Sequence, residues 1–331
     1  MTHPLRRGLP VIGACVAAMA AAIVAAPFIG STSISFSRVF SRALPFAENA
    51  DAQIFFIARL PRALAAALVG GTLAAAGVVF QGLLRNPLAT PYTLGVSAGA
   101  SLGAMAAITF GSAWAVGGVA SASLAGAFLA VLIVYALAAA RHRGLSTTVL
   151  LLAGVTLNAF FSALILFVQY VSDFAETYRA LRWLMGDLDV ASYTPVLYAL
   201  PLVAIAFAAF AWLARPLNLM SVGADAAATR GVDVERVQRT AFFAASLATG
   251  AAVSVGGPIG FVGIIVPHLV RLLVGADHRL VLPASVGFGA AFLVACDALA
   301  RTIFAPIELP VGIITAVIGG PFFLWLLITR R

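Results

Sequence analysis

The stretch TAFFAASLATGAAVSVGGPIGFVGIIVPHLVRLLVG, residues 240–275, decides how this chain is read. Both of its arms are apolar, and between them stand Gly256, Gly257, Pro258 and Gly260. Such a cluster ends a helix, because proline lacks the amide hydrogen and glycine gains the most freedom by leaving helical geometry. A hydrocarbon core takes about 20 apolar residues per crossing, so the stretch is long for one crossing and short for two. The arginines decide between them. Arg236 and Arg239 precede it, and Arg271 and Arg279 follow it. Cytoplasmic loops are enriched in basic residues, so both ends belong on one side. The pattern predicts a broken hairpin, 240–256 and 258–275, that returns to the side it left.

The rest of the chain follows the same logic. Of its 331 residues 62% are hydrophobic and 10% charged, with a mean hydropathy of +1.06, whereas a soluble domain carries about 25% charged residues. Further apolar runs fall at 10–30, 59–82, 93–112, 114–140, 148–170, 191–214, 281–300 and 308–328. With the hairpin they predict an all-α polytopic membrane protein of ten transmembrane helices, a single domain over 1–331. Ten spans divide into two sets of five, and an odd number per half inverts the second against the first, a common transporter plan. The first run, with Arg6 and Arg7 ahead of it and small residues before Pro27, has the outline of a signal peptide. Its length of about 20 apolar residues is that of a retained helix.

With the N-terminus inside, the cytoplasmic segments hold most of the arginines: Arg6, Arg7, Arg85, Arg141, Arg143, Arg271, Arg279, Arg330, Arg331 and the group Arg215, Arg230, Arg236 and Arg239. Only Asp225, Asp233, Glu235 and Asp277 oppose them there. The outer segments hold Arg38, Arg42, Arg59, Arg62, Arg179, Arg182 and Arg301 among most of the carboxylates. Both termini are therefore expected in the cytoplasm. The formal net charge of +8 orients the spans and implies no nucleic-acid partner.

Composition also excludes chemistry. The chain contains no lysine, so it has no G-x-x-x-x-G-K-[ST] phosphate loop and no Schiff-base lysine. If transport is driven, the energy comes from a gradient or from another subunit. Cys15 and Cys296 sit in apolar runs as small packing groups. His3, His142, His268 and His278 are not at metal-ligand spacing. No metal, cofactor or catalytic residue is expected of this chain, and it is not read as an enzyme.

Several segments carry candidate roles. Arg59 and Arg62, three apart on one helical face, share the outer side with Arg301. They read as interfacial anchors or as a positive rim for an acidic partner, with few acids nearby. Asp297 and Arg301 have the spacing of an intrahelical ion pair. The turn Asn86-Pro87-Leu88-Ala89-Thr90-Pro91 is stiffened by two prolines and suits a constriction at a pore mouth. On the fifth span Asn158, Ser162 and Gln169 fall on one face, the pattern of helix–helix hydrogen bonding or of a translocation path. Ser146, Thr147 and Thr148 stand at the inner end of that helix. The mixed-charge segment 215–239, punctuated by Gly223 and Gly231, is a linker or a docking surface for a cytoplasmic motor.

Taken in order, these segments resemble the FecCD or BtuC-like permeases, the membrane subunits of type II ATP-binding-cassette importers for iron-siderophores, haem and cobalamin. The resemblance extends over essentially the whole chain. It is carried by RLPR at 59–62, Gln81 with NPLATP at 86–91, LGVSAGA at 94–100 and LLLAG at 150–154. WLMG at 183–186, GPIGFVGIIVPHLVR at 257–271, Asp297 through Arg301, and ELPVG with GGPFF within 308–323 complete it. It implies a homodimer of ten-helix subunits in the inner membrane with a path at the subunit interface. It also implies two cytoplasmic ATPases, which carry the ATP and Mg, and a periplasmic substrate-binding protein.

By the same resemblance Arg59, Arg62 and Arg301 dock the binding protein. The coupling helices around 215–239, with Asn218, Gly223, Asp225, Arg230 and Gly231, enter the ATPase, and Asp225 stands where many relatives carry Glu. Leu88 and the region of Thr147 form the cytoplasmic gate. The resemblance puts haem first as cargo, a ferric siderophore second and cobalamin third. The rival expectation is a gradient-driven secondary transporter, which needs a titratable group near the bilayer midplane. Asp297 and Glu308 are its candidates.

Overall fold

The computed structural model describes residues 3–41, 44–111, 118–140, 146–190 and 192–329, side chains of 3–7, 327 and 329 excepted. Arg42, Arg141, Arg143, Arg330 and Arg331, and the side chains of Arg6 and Arg7, lie outside the described residues. The described residues are helical, with no strand among them. In chain order they form α1 (His3–Ala25), α2 (Phe36–Val39), α3 (Ala50–Gln53), a π-helical turn (Ile54–Arg59) and α4 (Leu60–Leu84). After these come α5 (Val96–Phe110), α6 (Gly118–Ala139), α7 (Thr147–Val171), α8 (Phe174–Leu184) and α9 (Thr194–Met220). The remainder is α10 (Ala224–Ala228), α11 (Val234–Gly256), α12 (Val262–Val274), α13 (His278–Ala300) and α14 (Val311–Thr329).

Each expected apolar run overlaps a helix among the described residues. Six stretches are both long and apolar enough to cross a bilayer: Gly8–Phe28, Ala50–Leu84, Gly118–Ala139, Thr147–Val171, Thr194–Met220 and His278–Ala300. The helices α5, α12 and α14 are apolar but shorter. At 1.5 Å per residue, a 13-residue helix such as α12 rises roughly 20 Å, against about 30 Å of hydrocarbon. The chain is a multi-pass membrane protein.

The predicted break is present, with α12 beginning a few residues later than expected. Helix α11 stops at Gly256, and Gly257 adopts φ 67°, a conformation that favours glycine. A Cβ there would lie 2.4 Å from the Trp183 carbonyl oxygen, so the position is closed to other residues on two grounds. Phe261 also has positive φ, at 68°, and its ring lies against Gly319 of α14.

The bundle is built around α4, which is buried along nearly its whole length. Lipid provides no hydrophobic drive between helices, so close van der Waals packing of small residues does the work. A Cβ on Gly77 would lie 2.1 Å from the Gly263 carbonyl of α12, and one on Gly70 would lie 2.3 Å from the Gly289 carbonyl of α13. Helices α12 and α13 thus touch α4 backbone to backbone. Leu73, Phe80, Leu217, Phe242 and Leu293 fill the core around this contact. In contrast, α7 leaves Leu166, Phe167 and Tyr170 exposed, continuous with Phe174 of α8.

Helix α8 was not expected. It is short and amphipathic, so a search for long apolar runs passes over it. Its signal is the capping box: the Glu176 amide donates to Asp173 Oδ1 at 2.7 Å, and the Asp173 amide donates to Glu176 Oε2 at 3.3 Å.

Candidate functional site

Three places gather the polar side chains. At one end of the bundle, Arg62 in the first turn of α4 meets Asp297 near the end of α13. Arg62 Nε donates to Asp297 Oδ1 at 2.9 Å, and Nη1 donates to Glu308 Oε2 at 2.5 Å. Asp189 Oδ1 lies 4.0 Å from the same Nη1. Arg301 Nε pairs with Asp297 Oδ2 at 3.1 Å, the expected i,i+4 pair, and its Nη2 donates to the Ala26 carbonyl. Arg59, in the π turn, donates to the carbonyls of Pro27 at 3.1 Å and Thr32 at 2.5 Å.

This corrects the expectation of an exposed positive rim with few acids nearby. Arg59, Arg62 and Arg301 are 7%, 6% and 2% exposed. A buried guanidinium needs a countercharge and hydrogen-bond acceptors: Asp297 lies between Arg62 and Arg301, Glu308 adds a second carboxylate to Arg62, and Arg59 is held by backbone carbonyls. The partners Asp297 and Glu308 stand 235 and 246 positions from Arg62, so local spacing could not reveal them.

Midway along α7 the predicted polar face does converge. Asn158, Ser162 and Gln169 line one cavity of about 460 Å³ together with Ser97 and Ser101 of α5 and Tyr92. Asn158 Nδ2 donates to the Tyr92 carbonyl at 2.7 Å, and the Tyr92 hydroxyl donates to the Ile259 carbonyl at 2.5 Å. The cavity wall is thereby tied to the break between α11 and α12. Thr156, on another face of α7, bonds only its own helix, at Leu152.

The expected gate residues are placed but not joined. Leu88 is exposed on a turn in which its amide donates to Asn86 Oδ1 at 2.9 Å. Ser146 caps α7 by accepting from the Val149 amide, with Thr147 half-buried and Thr148 exposed. Among the described residues no hydrogen bond links the two groups.

At the other end of the bundle, Gly223 (φ 135°) and Gly231 (φ 81°) bracket α10, with Asp225 and Arg230 exposed. Asn218 departs from the expectation of a free docking surface. Its Nδ2 donates to Asp277 Oδ1 at 2.6 Å, and its Oδ1 accepts from the His278 amide at 2.8 Å. It clips the end of α9 to the start of α13. Asp277 lies outside the spans, and its carboxyl is pulled down to about 2, mainly by the hydrogen bonds from the Arg279 side chain. Nearby, Gln81 Nε2 donates to the Gly263 carbonyl at 3.0 Å and its Oε1 accepts from Arg271, fastening α4 to α12.

Comparison with known proteins settles the lineage. The profile of the FecCD transport family matches residues 18–329. The chain belongs to the FecCD transport family. It is 47% identical over 273 residues to the cobalamin import system permease protein of Halobacterium salinarum, covering 82% of this chain and 73% of the relative. It is 38% identical over 309 residues to the hemin transport system permease protein of Yersinia pestis, covering 92% and 90%. A solved structure described as an inward-facing metal-chelate type ABC transporter superposes with a TM-score of 0.83 at 30% identity, covering 97% of this chain and 99% of that one. This FecCD permease is an importer subunit of the ABC class, as its sequence landmarks implied.

Proposed function

We propose that this permease pairs with a second copy of itself, two cytoplasmic ATPases and a periplasmic binding protein. The complex passes a metal–tetrapyrrole chelate through ten-helix subunits of the inner membrane whose termini are cytoplasmic. The observation that carries this is the α5–α7 cavity. It is lined by hydroxyl- and amide-bearing residues, Tyr92, Ser97, Asn158 and Gln169 among them, and none of the described residues that line it is charged. Polar groups within a bilayer face the protein interior or water. The exposed apolar surface of α7 and α8 supplies the dimer face, and two facing cavities enclose the path.

The lining also orders the cargo. Haem presents carboxylates, for which the cavity offers no arginine; cobalamin presents a fringe of neutral amides, which hydroxyl and amide side chains match. The corrinoid therefore moves ahead of haem, and anionic ferric siderophores fall behind both. The relatives named for cobalamin and hemin support a tetrapyrrole of either kind.

In this mechanism α10, with Asp225 and Arg230, enters the ATPase, and Asn218 passes its displacement to α13 through Asp277 and His278. The far end of α13 holds Asp297, so the strut ends in the charge cluster. An acidic side chain of the binding protein reaches Arg62 only by displacing Glu308, whose carboxylate is partly exposed. Each partner shifts the equilibrium only by binding one state better than the other.

The test is ATP-driven uptake in proteoliposomes holding the permease, its ATPase and the cognate binding protein, with cobalamin, haem and a ferric siderophore compared. Cobalamin uptake well above the other two is expected. Uptake confined to the siderophore overturns the assignment of the cargo.

A further inference from the structure

The two walls of the α5–α7 cavity differ in what their polar groups are free to do. On the α7 side, Asn158 commits its amide group to the Tyr92 carbonyl, and the Tyr92 hydroxyl is committed to the Ile259 carbonyl. On α5, Ser97 and Ser101 stand four positions apart, hence on one helical face, and both line the cavity. Each is 5% exposed, and neither hydroxyl has a hydrogen-bond partner among the described residues.

A serine or threonine in an apolar helix commonly bonds the carbonyl three or four residues back. Thr156, Ser172, Thr249 and Thr302 all do so, to Leu152, Val168, Ala245 and Ala298. Ser97 has no helical turn behind it, because α5 begins at Val96 after Gly95 at φ 80°. The carbonyl four residues before it, that of Thr93, is packed against α7, where a Cβ on Gly154 would lie 2.4 Å from its oxygen. Four other hydroxyls, on Thr72, Ser123, Ser246 and Ser285, also lack a partner, but they are closed off from solvent. Those of Ser97 and Ser101 are not closed off and open on the cavity. Buried polar groups normally find a partner, and for these two the cavity is where one arrives.

We propose that Ser97 and Ser101 are the residues that read the cargo, while Asn158 is a positioning residue that fixes the wall through Tyr92. This rests on the reading of the cavity as part of the translocation path. A hydroxyl both donates and accepts, so two of them one turn apart suit a rim of neutral carboxamides, each with a carbonyl and an N–H. A carboxylate rim offers acceptors alone and meets no countercharge among the described lining residues. The polar face of α7 is long and easily seen in the sequence, whereas α5 carries its two serines among the alanines and glycines of 96–104.

The experiment labels cysteines in the complete complex, reconstituted with its ATPase and binding protein. Cys15 and Cys296 are buried, so the parent chain gives a low blank with a charged, impermeant methanethiosulfonate. Ser97→Cys and Ser101→Cys should react about tenfold faster than Ser123→Cys, whose position is closed, because thiol reactivity follows access. Turnover with binding protein carrying cobalamin, haem or a ferric siderophore, whichever the complex imports, should slow both reactions about threefold relative to empty binding protein, since a covered thiolate is not reached. Ser97→Ala combined with Ser101→Ala should lower import of that cargo per ATP hydrolysed about 25-fold, about fivefold for each neutral hydrogen bond lost. Ser123→Ala should import as the parent does. Labelling no faster than in Ser123→Cys, or slowed by none of the three cargoes, overturns the proposal. So does import by the doubly substituted chain within about twofold of the parent, less than one hydrogen bond is worth. Protection by haem or by the siderophore in place of cobalamin supports the two serines as cargo contacts and overturns the order of cargoes instead, which tells the two failures apart.

Discussion

Asp297 is the residue on which most of the buried charge depends, since Arg62 Nε lies 2.9 Å from one of its oxygens and Arg301 Nε 3.1 Å from the other. Breaking a buried pair by removing one partner typically costs about 3–5 kcal/mol, because the remaining ion stays desolvated and uncompensated. Asp297→Asn is expected to lower stability on that scale, read as thermal unfolding of the detergent-purified chain. Glu308→Gln should cost about 1 kcal/mol or less, since that carboxylate is partly exposed and such pairs are worth little. The deficit of Asp297→Asn should hardly change with ionic strength, because salt screens buried charges weakly. A large salt dependence would mean that the cluster is hydrated. Asp277 sets a separate pH limit at the opposite end of α13. Its folded value of about 2 lies below the ordinary 3.8, so its contribution is complete above about pH 4 and disappears as pH falls through 2. In acid melting curves Asp277→Asn should differ from the parent chain near neutrality and converge with it near pH 2.

Among the elements, the ones easiest to read in the sequence were those whose signal is local. The break at Gly256-Gly257-Pro258 and the polar face of α7 both follow from backbone chemistry and a 3.6-residue period, and both are where the residues put them. The burial of Arg59 and Arg62 was not legible because their partners, the carbonyls of Pro27 and Thr32 for the first and the carboxylates of Asp297 and Glu308 for the second, are contacts that only the tertiary fold creates. The partners of Asn218 were hidden for the same reason: Asp277 and His278 stand beyond the whole α11–α12 unit. Helix α8 was missed because an 11-residue amphipathic helix carries no long apolar run. The coupling role proposed for α10 gives a sharp prediction. Asp225 and Arg230 are exposed at either end of α10 and make no ion pair among the described residues. Asp225→Arg with Arg230→Glu should leave folding intact while separating ATP hydrolysis from uptake in the reconstituted complex. Asn218→Ala should reduce coupling through a different route, by loosening α9 from α13, and should also lower thermal stability by about 1 kcal/mol or more for the lost hydrogen bonds. If both variants transport as the parent does, α10 and the clip are not in the path of force.

At the scale of the whole molecule, the choice between an external motor and an ion gradient turns on where the interior carboxylates stand. A gradient-driven carrier must offer the coupling ion a group that can release and rebind it within the membrane. Asp297 and Glu308 were the candidates, and in the folded chain both are engaged by Arg62, with Arg301 on the second oxygen of Asp297. A coupling ion could reach Asp297 only by parting these ion pairs. The α5–α7 cavity offers no replacement, because none of the described residues that line it is a carboxylate. Among the described residues the interior carboxylates are thus committed to arginines, whereas the α10 end presents an exposed helix whose neighbour Asn218 is tied to the start of α13. Vesicles containing the permease alone should show no uptake under an imposed proton or sodium gradient. In the complete complex, collapsing both gradients with ionophores should leave ATP-driven uptake unchanged within a factor of about two, less than 1 kcal/mol of effect. Gradient-driven accumulation by the permease alone would return Asp297 to the centre of the mechanism, and the arginines around it would then have to part during each cycle.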